Sequence, residues 1–333
     1  MNLFTLFTSL TCIFLFAITL ASPLHTNATT TLFQYSTTGT WLENIALGPP
    51  STNTLLVTRM DVPELWAVDT IAHNATRVAT FPNATACMGI TPVDEGIYAV
   101  VAGSLVITDI GHPVEGSWSV YTVDVSAISD GEAPVRKVVD LREAGWLNGM
   151  TLFPDRVVLI ADSVNGVIWQ LDARTGEYSV ALNDTASMAA SPTDPLGLGV
   201  NGVRVWKEYV YYSTDSRSAV FRVPVGWEKT TKRVVAAGPV ETVAQDVVVD
   251  DFAVAEDGTL YLMAIAENEV VRVTVDAGKE VLVGAKERRE VAGCTSAVVS
   301  RDGRRLWVTT NGGHIVPAEG GEEPAKVVEV VLE

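Results

Sequence analysis

Short runs in which apolar and polar residues alternate follow one another along most of the chain, punctuated by Gly, Asp, Asn and Pro. Successive side chains of a strand point to opposite faces, so a period of two is the mark of half-buried strands. No stretch sustains the period of a long amphipathic helix. The segment from Asp184 to Leu198 holds Ala and Met, but Pro192 and Pro195 interrupt it, and it reads as a loop with at most a short helix.

The strands recur as a unit. One copy runs Asn148-Gly149-Met150-Thr151, then VVLIAD to Asp162, then VIWQLD; another runs Asn201-Gly202-Val203-Arg204, then VYYSTD to Asp215, then AVFRVP. In each, a first strand leads into a second, apolar strand that ends near Asp, and an alternating third strand follows. Related units begin near Glu43 (ENIAL, TLLVTRM, ELWAVD), Met88 (MGITPV, IYAVVAG, VYTVDV), Asp250 (DDFAVAEDGTLYLMAI, EVVRVTV) and Thr295 (TSAVVSRDGRRLWVTTN, VVEVVL). A spacing of roughly 45 to 60 residues suits a four-stranded propeller blade. The pattern predicts an all-β fold, a six-bladed β-propeller occupying 23–333 as a single domain. A propeller must close its ring or expose sheet edges. The strand near Thr31 to Tyr35 has no blade of its own, so it is expected to pair with the C-terminal strand in the last blade.

Composition narrows the setting. Leu3 to Leu20 is apolar, no charged side chain precedes His25, and Ala21, Ser22 and Pro23 follow. Residues 1–22 read as a secretory signal peptide, with a signal anchor as the alternative because the segment lacks Lys and Arg. Four Asn-x-Thr sequons, at Asn27, Asn74, Asn83 and Asn183, fit a glycoprotein of the secretory pathway or extracellular space. Cys12 leaves with the leader. Cys87 and Cys294 then form either a disulfide across a very long loop or two buried thiols. A net charge of −17 argues against nucleic acid and anionic membrane as partners. Small molecules are the expected partners, and a closed ring needs no second copy, so a monomer is expected.

If the units are blades, the starts of their first strands gather at one end of a central channel. Glu43, Asn148, Asn201 and Asp250 share that place, which would bring two carboxylates and two amides together as oxygen donors for a divalent cation such as calcium. Other readings stay open: Asn before Gly is often a turn residue, and Asp251 could point inward in place of Asp250. Aromatic residues cluster at strand starts and loop edges, among them Trp41, Trp66, Trp118, Trp146, Trp206 and Phe252. Trp41 and Trp146 lie just ahead of Glu43 and Asn148, and Met88 and Phe252 stand at matching depth, so these four are the candidate walls of a substrate cavity. There is no G-x-S-x-G elbow, H-E-x-x-H or phosphate loop. Of the histidines only His314 falls near a channel mouth.

The segments WLENIAL, NGMTLFPDRVVLIADS, NGVRVWKEYVYYSTDS and DDFAVAEDGTLYL resemble the SMP-30/gluconolactonase family of six-bladed propellers, most closely its secreted filamentous-fungal branch. The resemblance covers nearly the whole mature chain. It implies a divalent ion on Glu43, Asn201 and Asp250, substrate contact at Asn148, and a water-activating base at Asp250. The fungal branch also resembles hetero-Diels–Alderases of tropolonic sesquiterpenoid pathways. These dehydrate a hydroxymethyl precursor to a quinone methide and direct its cycloaddition to a terpene alkene, a reaction that requires no cofactor. Three functions follow as expectations: such a pericyclase of secondary (meroterpenoid) metabolism, acting on polyketide-derived and terpene substrates; a divalent-metal-dependent lactonase; or a propeller that binds a small molecule without catalysis. Asp250, Asn148 and Asn201 are the expected catalytic residues in the first two.

Overall fold

In the computed structural model, which describes residues 27–110, 112–129, 131–274 and 278–332, the units form six antiparallel sheets arranged as the blades of a β-propeller. The proposed signal peptide lies outside the described residues, and no helix among them is long and apolar enough to cross a membrane. The innermost strands are Leu42–Leu47, Ala86–Asp94, Leu147–Phe153, Val200–Trp206, Val249–Val254 and Cys294–Val299. Each packs against the innermost strand of the next blade, and the sixth packs against the first. Thr29–Gln34 pairs antiparallel with Lys326–Val331 as the outer strand of the sixth blade. The ring is thereby closed by both ends of the chain, and the last sheet loses its open edge.

The fourth blade departs from the pattern. Its third strand, Ala219–Glu228, is long enough to pair with Glu241–Gln245 along one half and with Arg233–Ala236 along the other. Between the third and fourth blades, residues 183–199 form turns without a strand, as the two prolines require.

One irregularity is repeated in every blade and controls what faces the axis. The pairing of the first two strands shifts register between Leu42 and Ile45, Cys87 and Ile90, Leu147 and Met150, Val200 and Val203, Val249 and Phe252, and Cys294 and Ala297. In each case three steps on the inner strand oppose two on its partner, for example Leu42↔Arg59 and Ile45↔Val57. This is a bulge with one extra residue, a device that bends a strand and re-aims its side chains. Asn148-Gly149 and Asn201-Gly202 are therefore bulge residues inside strands, not turns.

The bulge also explains the glycines. A Cβ on Gly89 would lie 2.5 Å from the Asn148 carbonyl oxygen, and one on Gly149 would lie 2.9 Å from that of Asn201. Around the second to fourth blades, the absent side chain is what lets the next backbone approach. Second-strand hydroxyls reinforce the seams: Ser213 Oγ accepts from the Gly202 N–H and donates to the Asp250 carbonyl at 2.7 Å. Thr58 does the same between Asn44 N–H and the Met88 carbonyl.

Of the two readings open for the cysteines, the structure has the pair of thiols. Cys87 and Cys294 are free, buried thiols. They occupy equivalent places just ahead of the bulges of the second and sixth blades, and the first blade stands between them. Each packs into a different apolar core. Burial drives both thiols well above their ordinary range.

Candidate functional site at the channel axis

The two residues in each bulge build two layers across the channel. The first layer contains Glu43, Met88, Asn148, Asn201, Asp250 and Thr295, and the second contains Asn44, Gly89, Gly149, Gly202, Asp251 and Ser296. The end where the innermost strands begin is termed here the upper end, so the first layer lies above the second.

Glu43, Asn148, Asn201 and Asp250 are all buried in the first layer. Asn201 Nδ2 donates to Asp250 Oδ1 at 2.8 Å and to Asp215 Oδ2 at 3.0 Å. Trp41 Nε1 donates to Glu43 Oε2 at 2.7 Å. Asn148 stands somewhat apart: its Nδ2 reaches Ser163 Oγ at 3.3 Å, and that hydroxyl donates to the Val200 carbonyl. The uncertainty between Asp250 and Asp251 resolves into two roles. Asp250 faces the first layer. Asp251 holds the second, accepting at Oδ2 from Asn44 Nδ2 (2.9 Å), Arg204 Nη2 (2.6 Å) and Ser296 Oγ (2.9 Å).

The first layer gathers negative charge away from water. Burial, with smaller contributions from the charges of Asp251 and Asp215, pushes the Glu43 carboxyl up to about 8 against the pull of the Trp41 hydrogen bond. Burial and the Glu43 charge hold Asp250 well above the usual carboxylate range, and burial and the Asp250 charge do the same to Asp215. Carboxyls crowded in this way titrate as a group, so one can hold a proton that its neighbour lacks.

Asp215 is a residue that sequence reading placed only as a strand end, in register with Asp162. The two now differ in role. Asp162 accepts from the N–H groups of Gly145, Trp146 and Asn165 and from the Asn165 and Trp169 side chains, which makes it a structural knot of the third blade. Asp215 faces Asn201, and its Oδ1 is buried without a partner, as is Asn201 Oδ1. Such oxygens suit a hard divalent cation. Among the described residues, no group of three or more His, Cys, Asp or Glu side chains is arranged around a metal position. A cation at this place would therefore depend on the Asn201 amide as well as on carboxylates.

The candidate wall residues separate into two places. Trp41, Met88 and Trp146 belong to one apolar cluster with Met60, Leu105 and Trp118. Trp146 stacks on Trp118 with ring centroids 6.5 Å apart, and its own Nε1 is buried without an acceptor. Phe252 is elsewhere. It follows the bulge, is wholly buried between the fourth and fifth blades with Tyr211 and Leu262, and lies beneath the Arg204 guanidinium. The extra bulge residue turns its ring into the blade seam. His314 is half-buried with its ring edge on Trp41 and its Nδ1 3.1 Å from Glu322 Oε1. Of the sequon asparagines, Asn74, Asn83 and Asn183 are exposed, while the Asn27 amide donates to the Val331 carbonyl.

No family profile matches the chain. It is 27% identical over 313 residues to a protein of Sarocladium schorii provisionally named hetero-Diels-Alderase asR5, covering 81% of this chain and 75% of that protein. It is 26% identical over 300 residues to a protein of Phoma sp with the same provisional activity name, covering 82% and 84%. Among solved structures, regucalcin from Agrobacterium tumefaciens, described as a calcium-binding protein, superposes with a TM-score of 0.62 at 14% identity, covering 92% of this chain and 94% of that one. The chain thus resembles two proteins provisionally named hetero-Diels-Alderases in sequence and regucalcin in fold.

Proposed function

We propose that the protein is a small-molecule enzyme that forms a quinone methide by dehydration and directs its cycloaddition to a terpene alkene at the upper end of the channel. The observation that carries this reading is the junction at Trp41. Its ring belongs to the buried apolar cluster shared with Met88 and Trp146, while its indole N–H binds Glu43 in the carboxyl layer. An apolar reactant lying on that cluster would meet acid and base groups at one edge. Similarity to two provisionally named hetero-Diels-Alderases supports the same reaction class.

The first layer, with Asp215 beside it, supplies the acid and the base. Glu43, held protonated near neutrality, gives its proton to the hydroxyl of a hydroxymethyl group, and the C–O bond breaks with water leaving. The ionised member of the Asp250–Asp215 pair takes the proton from the ring hydroxyl, whose electrons complete the new carbonyl and exocyclic alkene. Return of that proton from the aspartate pair to Glu43 by way of solvent restores the starting state. The cycloaddition then forms one C–C and one C–O bond without proton transfer, and the wall acts by holding the reactants in a near-attack pose. Asn148 serves as a donor to the polarised carbonyl.

The test is to mix the protein with a hydroxymethyl tropolone- or phenol-type precursor and a macrocyclic terpene alkene. One stereoisomer in excess is expected, and Glu43→Gln lowers the rate by about 10²- to 10⁴-fold, the usual contribution of a general acid. A racemic product formed at the uncatalysed rate overturns the reading.

A second reading rests on the unpartnered oxygens of Asn201 and Asp215. Glu43, Asn201 and Asp250 would hold a divalent cation, with Asp215 behind them. A cation bound there would supply Lewis-acid polarisation of a lactone carbonyl, and Asp250 would direct water to it. Lactone hydrolysis that is lost with chelator, and lost in Asp250→Asn without unfolding, would favour this reading. A ligand that raises the melting temperature and emerges unchanged from both assays would instead identify a binding propeller.

A further inference from the structure

Below the Asp251 layer the channel changes character. A cavity of about 660 Å³ opens at the lower end, where the innermost strands finish. Its depth is lined by Ile45, Ile90, Met150 and Ala297, the residues that directly follow the bulges of four blades. Its size is within the range of sites for drug-sized ligands, and its mostly apolar wall with few polar groups is their usual make-up. Two arginines, Arg204 and Arg301, are among its lining residues.

The two arginines are placed differently. Arg204 is largely buried, with one edge fixed to Asp251, Ser296 and its neighbour's carbonyl. Its Nε–H carries no hydrogen bond within the protein among the described residues. Arg301 sits at the rim, where one nitrogen donates to the Gly48 carbonyl at 2.6 Å and no carboxylate pairs with it among the described residues. The rim carboxylate of Asp94 is paired with Arg156 at 2.9 Å; Glu95 is the other acid there. An apolar bowl with guanidinium donors left over suits a greasy molecule that ends in an anionic oxygen, because guanidinium–carboxylate hydrogen bonds are the strong kind.

We propose that this lower cavity is a second small-molecule site, distinct from the carboxyl layer, that binds an apolar monocarboxylate with its chain against Ile45, Ile90 and Met150 and its head at Arg204 and Arg301. The hydrogen-bonded layer of Asn44, Asp251 and Ser296 separates the two ends, so occupancy of the lower site is independent of the reaction proposed for the upper one.

The probes are octanoate and its neutral counterpart octanol, titrated calorimetrically into the intact protein and followed by the methyl resonances of Met150 and Met88. Octanoate is expected to bind at least tenfold more tightly than octanol and to shift the Met150 methyl while leaving that of Met88 in place. Arg301→Met should remove the preference for octanoate, and Val298→Trp, which fills the cavity from its partly exposed wall, should abolish binding of both. Failure of octanoate to bind at millimolar concentration, equal affinity for the two probes, unchanged binding in Val298→Trp, or a shift at Met88 in place of Met150 would each overturn the proposal.

Discussion

Asp251 is the side chain on which the axis depends, and removing it should be the most damaging single change near the site. Its side chain is 3% exposed and that of Arg204 16%. One carboxylate oxygen holds Asn44 of the first blade, Arg204 of the fourth and Ser296 of the sixth, so Asp251→Ala unties four blades at once. The largest cost is a buried guanidinium left without its counter-charge, about 3–5 kcal/mol when one member of a buried pair is deleted. The three severed hydrogen bonds are not added to that figure, because they belong to the same network and do not sum. With a urea slope of about 3 kcal/mol/M, the upper end of the range for small proteins, the unfolding midpoint should fall by about 1 to 1.7 M. The control is Asp251→Leu combined with Arg204→Met, which replaces the ion pair by apolar volume and should recover most of the loss, since such replacements are often neutral or better. A single-variant loss below about 1 kcal/mol, the size expected of a surface change, would refute the role assigned to Asp251. So would a double variant less stable than either single one.

Three other outcomes are expected. Because the folded pKa of Glu43 is raised to about 8 from an ordinary 4.5, the unfolded chain ionises first; stability should be greatest below the ordinary value and fall with a slope of up to about 1.4 kcal/mol per pH unit until pH passes about 8. Melting temperatures across pH 5 to 8 will check this, and an undiminished slope in Glu43→Gln would assign it to other groups. Gly149→Ala should cost about 1–3 kcal/mol, since its Cβ would press on the Asn201 carbonyl and on Gly202 Cα at 3.0 Å, both backbone. Gly226→Ala, with nothing within 4 Å of the added carbon, should be neutral or slightly stabilising in the same denaturant assay. Finally, Cys87 and Cys294 should react with iodoacetamide only after unfolding, and reductant should leave the melting temperature unchanged. A mass two units lower than that of the free dithiol would show that they are joined.

The fold was readable in the sequence because a propeller writes its period into the chain. Each blade repeats an apolar second strand and a short alternating third, and the leftover N-terminal strand had one place to go. The same period located the first residue of every bulge, Glu43, Met88, Asn148, Asn201, Asp250 and Thr295, without revealing that bulges were there. A bulge depends on a missing hydrogen-bond partner across the sheet, and alternation along one strand carries no record of it. That is why Phe252 was expected to share a cavity with Met88 and is instead turned into the seam between blades. Asp162 and Asp215 show the same limit. They are equivalent in the repeat, but the amides around Asp162 come from its own blade, whereas Asp215 meets Asn201 and the charge of a neighbouring blade. The choice between a disulfide and two thiols stayed open for a similar reason: spacing in sequence could not show that the first blade stands between two equivalent positions of its neighbours.

The bulge offers a physical account of why ionisable side chains gather at this axis. A regular inner strand would present one side chain per blade at a given height and bury the next in the seam. The extra residue instead turns two successive positions toward the channel, and the two layers have different work. The first carries carboxyls whose proton affinity is raised by burial and, to a lesser degree, by mutual repulsion, a condition that destabilises the fold as pH rises. The second has glycines where backbones must touch and a tied set, Asn44, Asp251 and Ser296, where they need not. The tied set holds the first layer's carboxyls close enough to raise one another's pKa, and it divides a polar upper end from an apolar lower cavity. Changing a residue of the second layer should therefore alter both the proton affinity of Glu43 and the stability of the ring, whereas changing Arg301 at the lower rim should leave the proton affinity of Glu43 in place.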